Sequence, residues 1–280
     1  MLLTLARVFV LLSIAFSFLF SASAVAQKMG QSDPLTISEN RLYVTVHING
    51  RGPYRFLLDT GLPDVGRIDY RVAKALQLNI VGYQENSDAI QVKRDILVAV
   101  NQLSVGAVTH SSLRLVASDF NTTPRSIPVD GIIGRDFFRD YLLTIDGPSR
   151  RLIVSRDRLD THAKGVLSYP KPFVITGKAG QTNLYISLEM GSPFGFQFPT
   201  YLLAGLHYTN TAHKSIVTMA NLTFETQEAM LTDALVLGAI TVTGQMIYYS
   251  GKTHQISVGV DFLKEHILTI DQRNKLVRIE

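Results

Sequence analysis

The segment Phe-Leu-Leu-Asp-Thr-Gly, Phe56 to Gly61, carries an apolar run into a carboxylate, a hydroxyl and a glycine. A strand that delivers Asp59 to a tight loop suits carboxylate acid–base chemistry. In its strongest form this chemistry uses two carboxyls about 3 Å apart that share one proton, one acting as base toward water and the other as acid toward a carbonyl. Such a pair titrates as a unit. A single aspartate in a polar loop stays near its reference pKa of about 3.9, and a lone general base supplies only about 10²- to 10⁴-fold. The question is then where a second acid lies and what brings it to Asp59.

No other constellation competes. The chain has no G-x-S-x-G, H-E-x-x-H, P-loop or dinucleotide fingerprint. His207, His213, His254 and His266 are spread without ligand spacing, so neither a metal nor a cofactor is expected. The net charge of +4 over 280 residues is small, with Lys and Arg scattered among acids, and gives no basis for a nucleic-acid partner. There is no cysteine, which removes disulfides and thiolate chemistry. Residues 1–26 have an early Arg7, an uncharged apolar run from Val8 and small residues ending in Ala24-Val25-Ala26. They read as a signal peptide cut before Gln27, leaving no stable membrane anchor and an exported protein, periplasmic or secreted.

The elements that must position Asp59 are strands. From Leu42 onward, short runs of Val, Ile, Leu, Tyr and Thr are split by Gly, Pro, Asn and Asp, the pattern of an all-β chain. Leu42 to Gly61 reads as a hairpin turning at Asn49 to Pro53. The chain then repeats itself: Gly134 to Asp146 matches Gly259 to Asp271, and Leu103 to Thr109 matches Leu235 to Thr241. A third match sets the hairpin against Leu184 to Tyr201. These matches give an N-terminal segment at 27–40, a first lobe at 41–160, a linker at 161–172 and a second lobe at 173–280. Asp136/Asp261 and Asp146/Asp271 recur in both lobes, as helix-capping or turn residues would. With Phe56 set against Phe196, Asp59 falls opposite Pro199, Thr60 opposite Thr200 and Gly61 opposite Tyr201. The second lobe then has the scaffold without the acid.

The strand into Leu-Leu-Asp-Thr-Gly, the segment Arg67 to Leu78, the turn Val129 to Gly134 and the run Asp136 to Asp146 together resemble the retropepsin-like aspartic peptidases, in the exported, tandem-lobe form. The resemblance implies two pseudo-symmetric β lobes facing a central cleft, with short helices after the Asp-Thr-Gly and Gly-Arg-Asp-Phe segments. It also implies that the strand Gly131-Ile132-Ile133-Gly134 passes beneath the Asp59 loop. Asp59 takes the catalytic role, Gly61 permits close approach of the two loops, and Thr60 and Thr200 bond across to the opposite loop's backbone. Substrates are peptides or proteins. The chain departs from the family's pattern at Leu62, where a small residue is usual, and in the polar stretch Gly82 to Val100, where a Gly-containing hairpin usually covers the cleft.

Two functions stay open. One is an endopeptidase in which Asp59 activates water and a second carboxylate comes from a partner chain in a homodimer, or from Glu189 or Asp233 of the second lobe. Of these acids, Glu189 is expected within the strand before the turn, and Asp233 aligns with Asn101, away from the loop. The other is a pseudoprotease that binds extended peptides in the cleft, or serves as a scaffold, without cutting.

Overall fold

The computed structural model describes residues 30–87, 92–121, 127–218 and 223–280. The segment expected as a signal peptide and the centre of the stretch Gly82 to Val100 lie outside the described residues. No helix among the described residues is long and apolar enough to cross a membrane.

The chain is almost entirely β, as its alternating pattern requires. In the strand Arg41–Ile48, exposure alternates along its second half, and the buried Val44, Val46 and Ile48 enter the main core. A tight turn joins it to Arg51–Asp59. Asn49 and Gly50 both take positive φ, at 52° and 73°, which matches the twist of the flanking strands. The turn is thus two residues long, shorter than the sequence reading, and Arg51 is already in the returning strand.

Three sheets build the molecule. The first lobe's eight-stranded sheet runs Thr36–Ser38, Arg41–Ile48, Arg51–Asp59, Gly131–Gly134, Gly66–Asp69, Val108–Ser118, Val92–Val105, Ile80–Ser87. The second lobe's nine-stranded sheet contains the hairpin Val174–Ala179 and Thr182–Leu188, and the strands Phe196–Pro199, Gln245–Ser250 and Ile256–Val258. A six-stranded sheet joins the lobes in the order Gln31–Pro34, Arg151–Ser155, Leu142–Asp146, Ile267–Asp271, Leu276–Ile279, Val166–Ser168. At its centre Thr144 pairs with Thr269, their hydroxyls 3.2 Å apart. The duplicated segments therefore meet each other antiparallel, about a pseudo-two-fold axis.

This sheet changes two expectations. The 161–172 segment is no bare linker, since Val166–Ser168 adds an edge strand to the joining sheet. The edge of Leu142–Asp146 that a second copy's first lobe would need is already taken by Ile267–Asp271 of the same chain. Pairing two first lobes across a homodimer would have to displace that strand.

The recurring aspartates divide by job. Asp146 and Asp271 hold turns, accepting from Ser149 N–H at 2.9 Å and Asn274 N–H at 3.2 Å. Asp136 and Asp261 do not cap. They sit in the first turn of the short helices and pair with Arg139 and Lys264 three residues on. Asp69 is the capping residue: nearly buried, it accepts from Arg71 N–H at 2.9 Å at the start of helix Tyr70–Ala75, from Phe120 N–H, and from the Asn121 side chain.

Candidate active site

Asp59 ends its strand with Gly134 as its parallel neighbour, so Gly131–Gly134 runs alongside the strand that carries Asp59. The small residues are needed there. A Cβ on Gly134 would lie 2.1 Å from the Asp64 carbonyl oxygen, and one on Gly131 would lie 2.4 Å from the Phe56 ring. Ile133 fills the core between them and Ile132 faces the other way. The loop closes on its own carboxylate, Gly61 N–H donating to Asp59 Oδ1 at 2.8 Å.

The hydroxyl of Thr60 crosses to the second lobe. It donates to the Leu188 carbonyl at 2.9 Å and accepts from Met190 N–H at 3.1 Å. Both bonds are buried. The residue between those two partners is Glu189. The second lobe thus presents Leu188-Glu189-Met190-Gly191 opposite Leu58-Asp59-Thr60-Gly61.

The expected register of the second lobe is therefore wrong by ten residues. Thr60 faces Met190 at a separation of 130, and the same separation relates Gly66–Asp69 to Phe196–Pro199 and Tyr70–Ala75 to Thr200–Gly205. Leu184 to Glu189 lies mostly in the second strand of its hairpin and not the first, which is Val174–Ala179. Thr200 corresponds to Tyr70. It starts a short helix, is exposed, and makes no bridge to the Asp59 loop, because the chain has already left the site at Phe196–Pro199. Pro199 and Tyr201 likewise stand opposite Asp69 and Arg71. They neither replace a carboxylate nor crowd the meeting of the loops. Asp233 is held elsewhere, accepting from His207 N–H at 2.8 Å and facing its ring at 3.0 Å.

The strand alongside repeats as well. Ile256–Val258 lies parallel to Thr182–Leu188, Val258 beside Leu188, as Ile133 lies beside Leu58. The helices, the strand Gly131–Gly134 and the Asp59 loop together make the first lobe's half of the site. Residues 44–137, which hold nearly all of that half, match a family model described as aspartyl protease. Over this lobe the chain is similar to the aspartyl proteases. Peptides and proteins are the substrates of this family. No curated protein matches the chain.

The two carboxyls, Asp59 and Glu189, are set in different surroundings. Burial pushes the Asp59 carboxyl up from its ordinary value, against peptide N–H groups of Gly61, Gly191 and Leu62 and the charge of Arg41, all of which favour the anion. Burial also raises Glu189, against hydrogen bonds from Gln255 and Ser187, and the negative charge of Asp59 raises it further. Gln255 Nε2 donates to Glu189 Oε1 at 3.1 Å. More donors gather on Asp59 than on Glu189, so the surroundings favour the anion more strongly at Asp59.

The grip between the loops is one-sided. Met190 has no hydroxyl to return the bridge that Thr60 makes. Arg41 stands in the gap, donating from Nη1 to the Gly191 carbonyl at 3.0 Å. Thr60→Val keeps the shape and removes the bridge, leaving a buried carbonyl and a buried N–H unpaired. It is expected to lower unfolding free energy by about 1–3 kcal/mol, read from urea midpoints, and to lower kcat with little change in KM.

The stretch Gly82 to Val100, which showed no flap in sequence, belongs to the hairpin Ile80–Ser87 and Val92–Val105. Tyr83 lies on it, more than half exposed, with the Arg94 guanidinium 4.3 Å from its ring centroid. The second lobe has its own long hairpin, Tyr208–Thr218 and Thr223–Leu231. Leu62, where a small residue is usual, is only 9% exposed.

Proposed function

We propose that the chain is an aspartic-type endopeptidase whose two carboxyls, Asp59 and Glu189, come from one molecule. The observation that carries this reading is the pair of hydrogen bonds by which the Thr60 hydroxyl donates to Leu188 O and accepts from Met190 N–H, the residues that flank Glu189. A water between the carboxyls gives its proton to Asp59 and attacks the peptide carbonyl carbon, while protonated Glu189 donates to the carbonyl oxygen. The tetrahedral diol collapses as the amine nitrogen takes a proton from Asp59 and Glu189 recovers its own from the diol. Glutamate is one methylene longer than the aspartate of the first lobe. Its carboxyl reaches past the loop to Gln255. The proposal needs no second chain, and with residues 1–26 read as a signal peptide it places the enzyme outside the cytoplasm.

The test is digestion of an unfolded protein by the chain from Gln27, across pH 3 to 8. Activity needs one carboxyl ionised and one protonated, so the profile is a bell with limbs set by the pair. Both carboxyls are raised, which moves the alkaline limb above the range of a free carboxyl. Arg41→Gln removes a charge that favours ionised Asp59 and is expected to move the acid limb upward. A profile whose alkaline limb lies below pH 4, or digestion that Asp59→Asn does not stop, would sink the proposal.

Gln255 favours a second reading, peptide binding without cleavage. Its amide occupies one oxygen of Glu189, which an acid directed at substrate would leave open. On that reading the Gln27 chain retains an unfolded peptide on a column while releasing no new amine ends at any pH.

A further inference from the structure

The sheet face beside Asp59 is lined mainly by apolar side chains, with Arg67 at the far end of the row, and the face beside Glu189 by polar ones. Side chains alternate along a strand, so Leu57 shares a face with Asp59, while Phe56 and Leu58 point into the main core. Strand pairing extends that row from Leu57 to Ile132 and from Ile132 to Arg67. Tyr43, Leu57 and Val129 form a cluster apart from the main core, with half-buried Phe120, Ile127 and Ile132 against it. In the second lobe Ser187 shares the face of Glu189. The row there runs from Ser187 to Ser257 and from Ser257 to Gln197. Position for position, leucine, isoleucine and arginine are replaced by serine, serine and glutamine.

The polar row is linked. Ser192 Oγ and Ser257 Oγ donate to Gln197 Oε1 at 3.4 Å and 3.3 Å. Gln197 is 3% exposed, and its Nε2 has no hydrogen-bond partner among the described residues. A buried amide donor left unpaired costs about 1–3 kcal/mol, and an acceptor brought by a ligand would remove that cost.

We infer that the cleft is two-sided in chemistry: it takes peptides with a large apolar side chain on one side of the bond between the carboxyls and a hydrogen-bonding side chain, amide or hydroxyl, on the other. This rests on the reading that a peptide carbonyl sits between Asp59 and Glu189. Leu57 and Ser187 each lie two residues, about 6.6–6.8 Å, from their carboxylate. Successive side chains of an extended peptide point to opposite sides. The lobes lie on opposite sides of the pseudo-two-fold axis, so the residues flanking the bond face different lobes. Gln197 and the serines around it then select the polar one.

Fluorescein-labelled hexapeptides with central Leu-Gln, Gln-Leu, Leu-Leu and Gln-Gln test this by anisotropy on the Asp59→Asn chain, which reads binding and not cleavage. One mixed order is expected to bind about tenfold tighter than Leu-Leu, as a site built to hydrogen-bond a side chain discriminates strongly. Gln197→Met in the same background is expected to erase the advantage. Leu-Leu binding as well as both mixed orders, or no binding by any of the four, overturns the inference. The comparison among peptides stands even if Gln197→Met fails to fold. An inert wild-type chain that still shows the preference would overturn the proposed cleavage and leave the two-sided cleft intact.

Discussion

Glu189→Gln is expected to abolish peptide hydrolysis, with kcat down by at least about 10²- to 10⁴-fold and KM little changed. The substitution keeps the shape and the contact with Gln255 but removes the carboxyl proton that the proposed reaction takes from the second lobe. The same variant should be more stable than the wild type at neutral pH. Both carboxyls have folded pKa values above their ordinary values of 3.8 and 4.5, so the folded chain binds more protons than the unfolded chain through that window. Wild-type stability therefore falls as pH rises from about 4 toward the raised values, then levels off. Glutamine has no such dependence. The difference in melting temperature between variant and wild type should be near zero at pH 4 and should favour the variant by pH 7. A variant that is inactive and also less stable at pH 7 would point to damage in the fold, and retained hydrolysis would remove Glu189 from the reaction.

Asp59 was legible in the sequence because its signal is local. An apolar strand, Asp-Thr-Gly, and a second apolar-apolar-Gly strand place the carboxylate and its support whatever the rest of the chain does. The joining sheet was legible through the recurrence of Leu-Thr-Ile-Asp, which pairs with its own copy. The second carboxylate was missed for a reason of strand physics. A slip by an even number of residues preserves the alternation of faces, so Leu184 to Leu188 fits the first strand of a hairpin as well as the second. Aromatic identity at Phe56 and Phe196 then favoured the wrong register. The correct one is ungapped from Leu58–Leu76 to Leu188–Leu206 and keeps Leu58/Leu188, Gly61/Gly191, Pro63/Pro193 and Leu76/Leu206. Gly180, at φ 54° in the turn before Thr182–Leu188, was the local mark that the hairpin begins earlier. The polar row behind Glu189 could not be seen until that register was known.

Gly191→Ala is the substitution expected to damage the site most while changing the fewest atoms. A Cβ at this position would lie 2.5 Å from both Cγ and Oδ2 of Asp59 and 2.6 Å from Oδ1. These are distances no pair of unbonded atoms holds, so either the carboxylate or the second loop must move. The carboxylate is fixed by Gly61 N–H and the loop by Thr60 and Arg41, which leaves no cheap direction for relief. Overpacking of this kind costs about 1–3 kcal/mol, and a displacement of about 1 Å in a catalytic group costs about 10²-fold in rate. Gly61→Ala offers the contrast. Its Cβ would meet Asp59 Oδ1 at 3.1 Å, a contact that a few tenths of an ångström relieve. Measured side by side for kcat and urea midpoint, Gly191→Ala should lose both activity and stability, and Gly61→Ala should lose less of each. Equal losses at the two glycines would mean that the Asp59 carboxylate does not lean on the second lobe's loop, and the pairing of Asp59 with Glu189 would lose its closest geometric support.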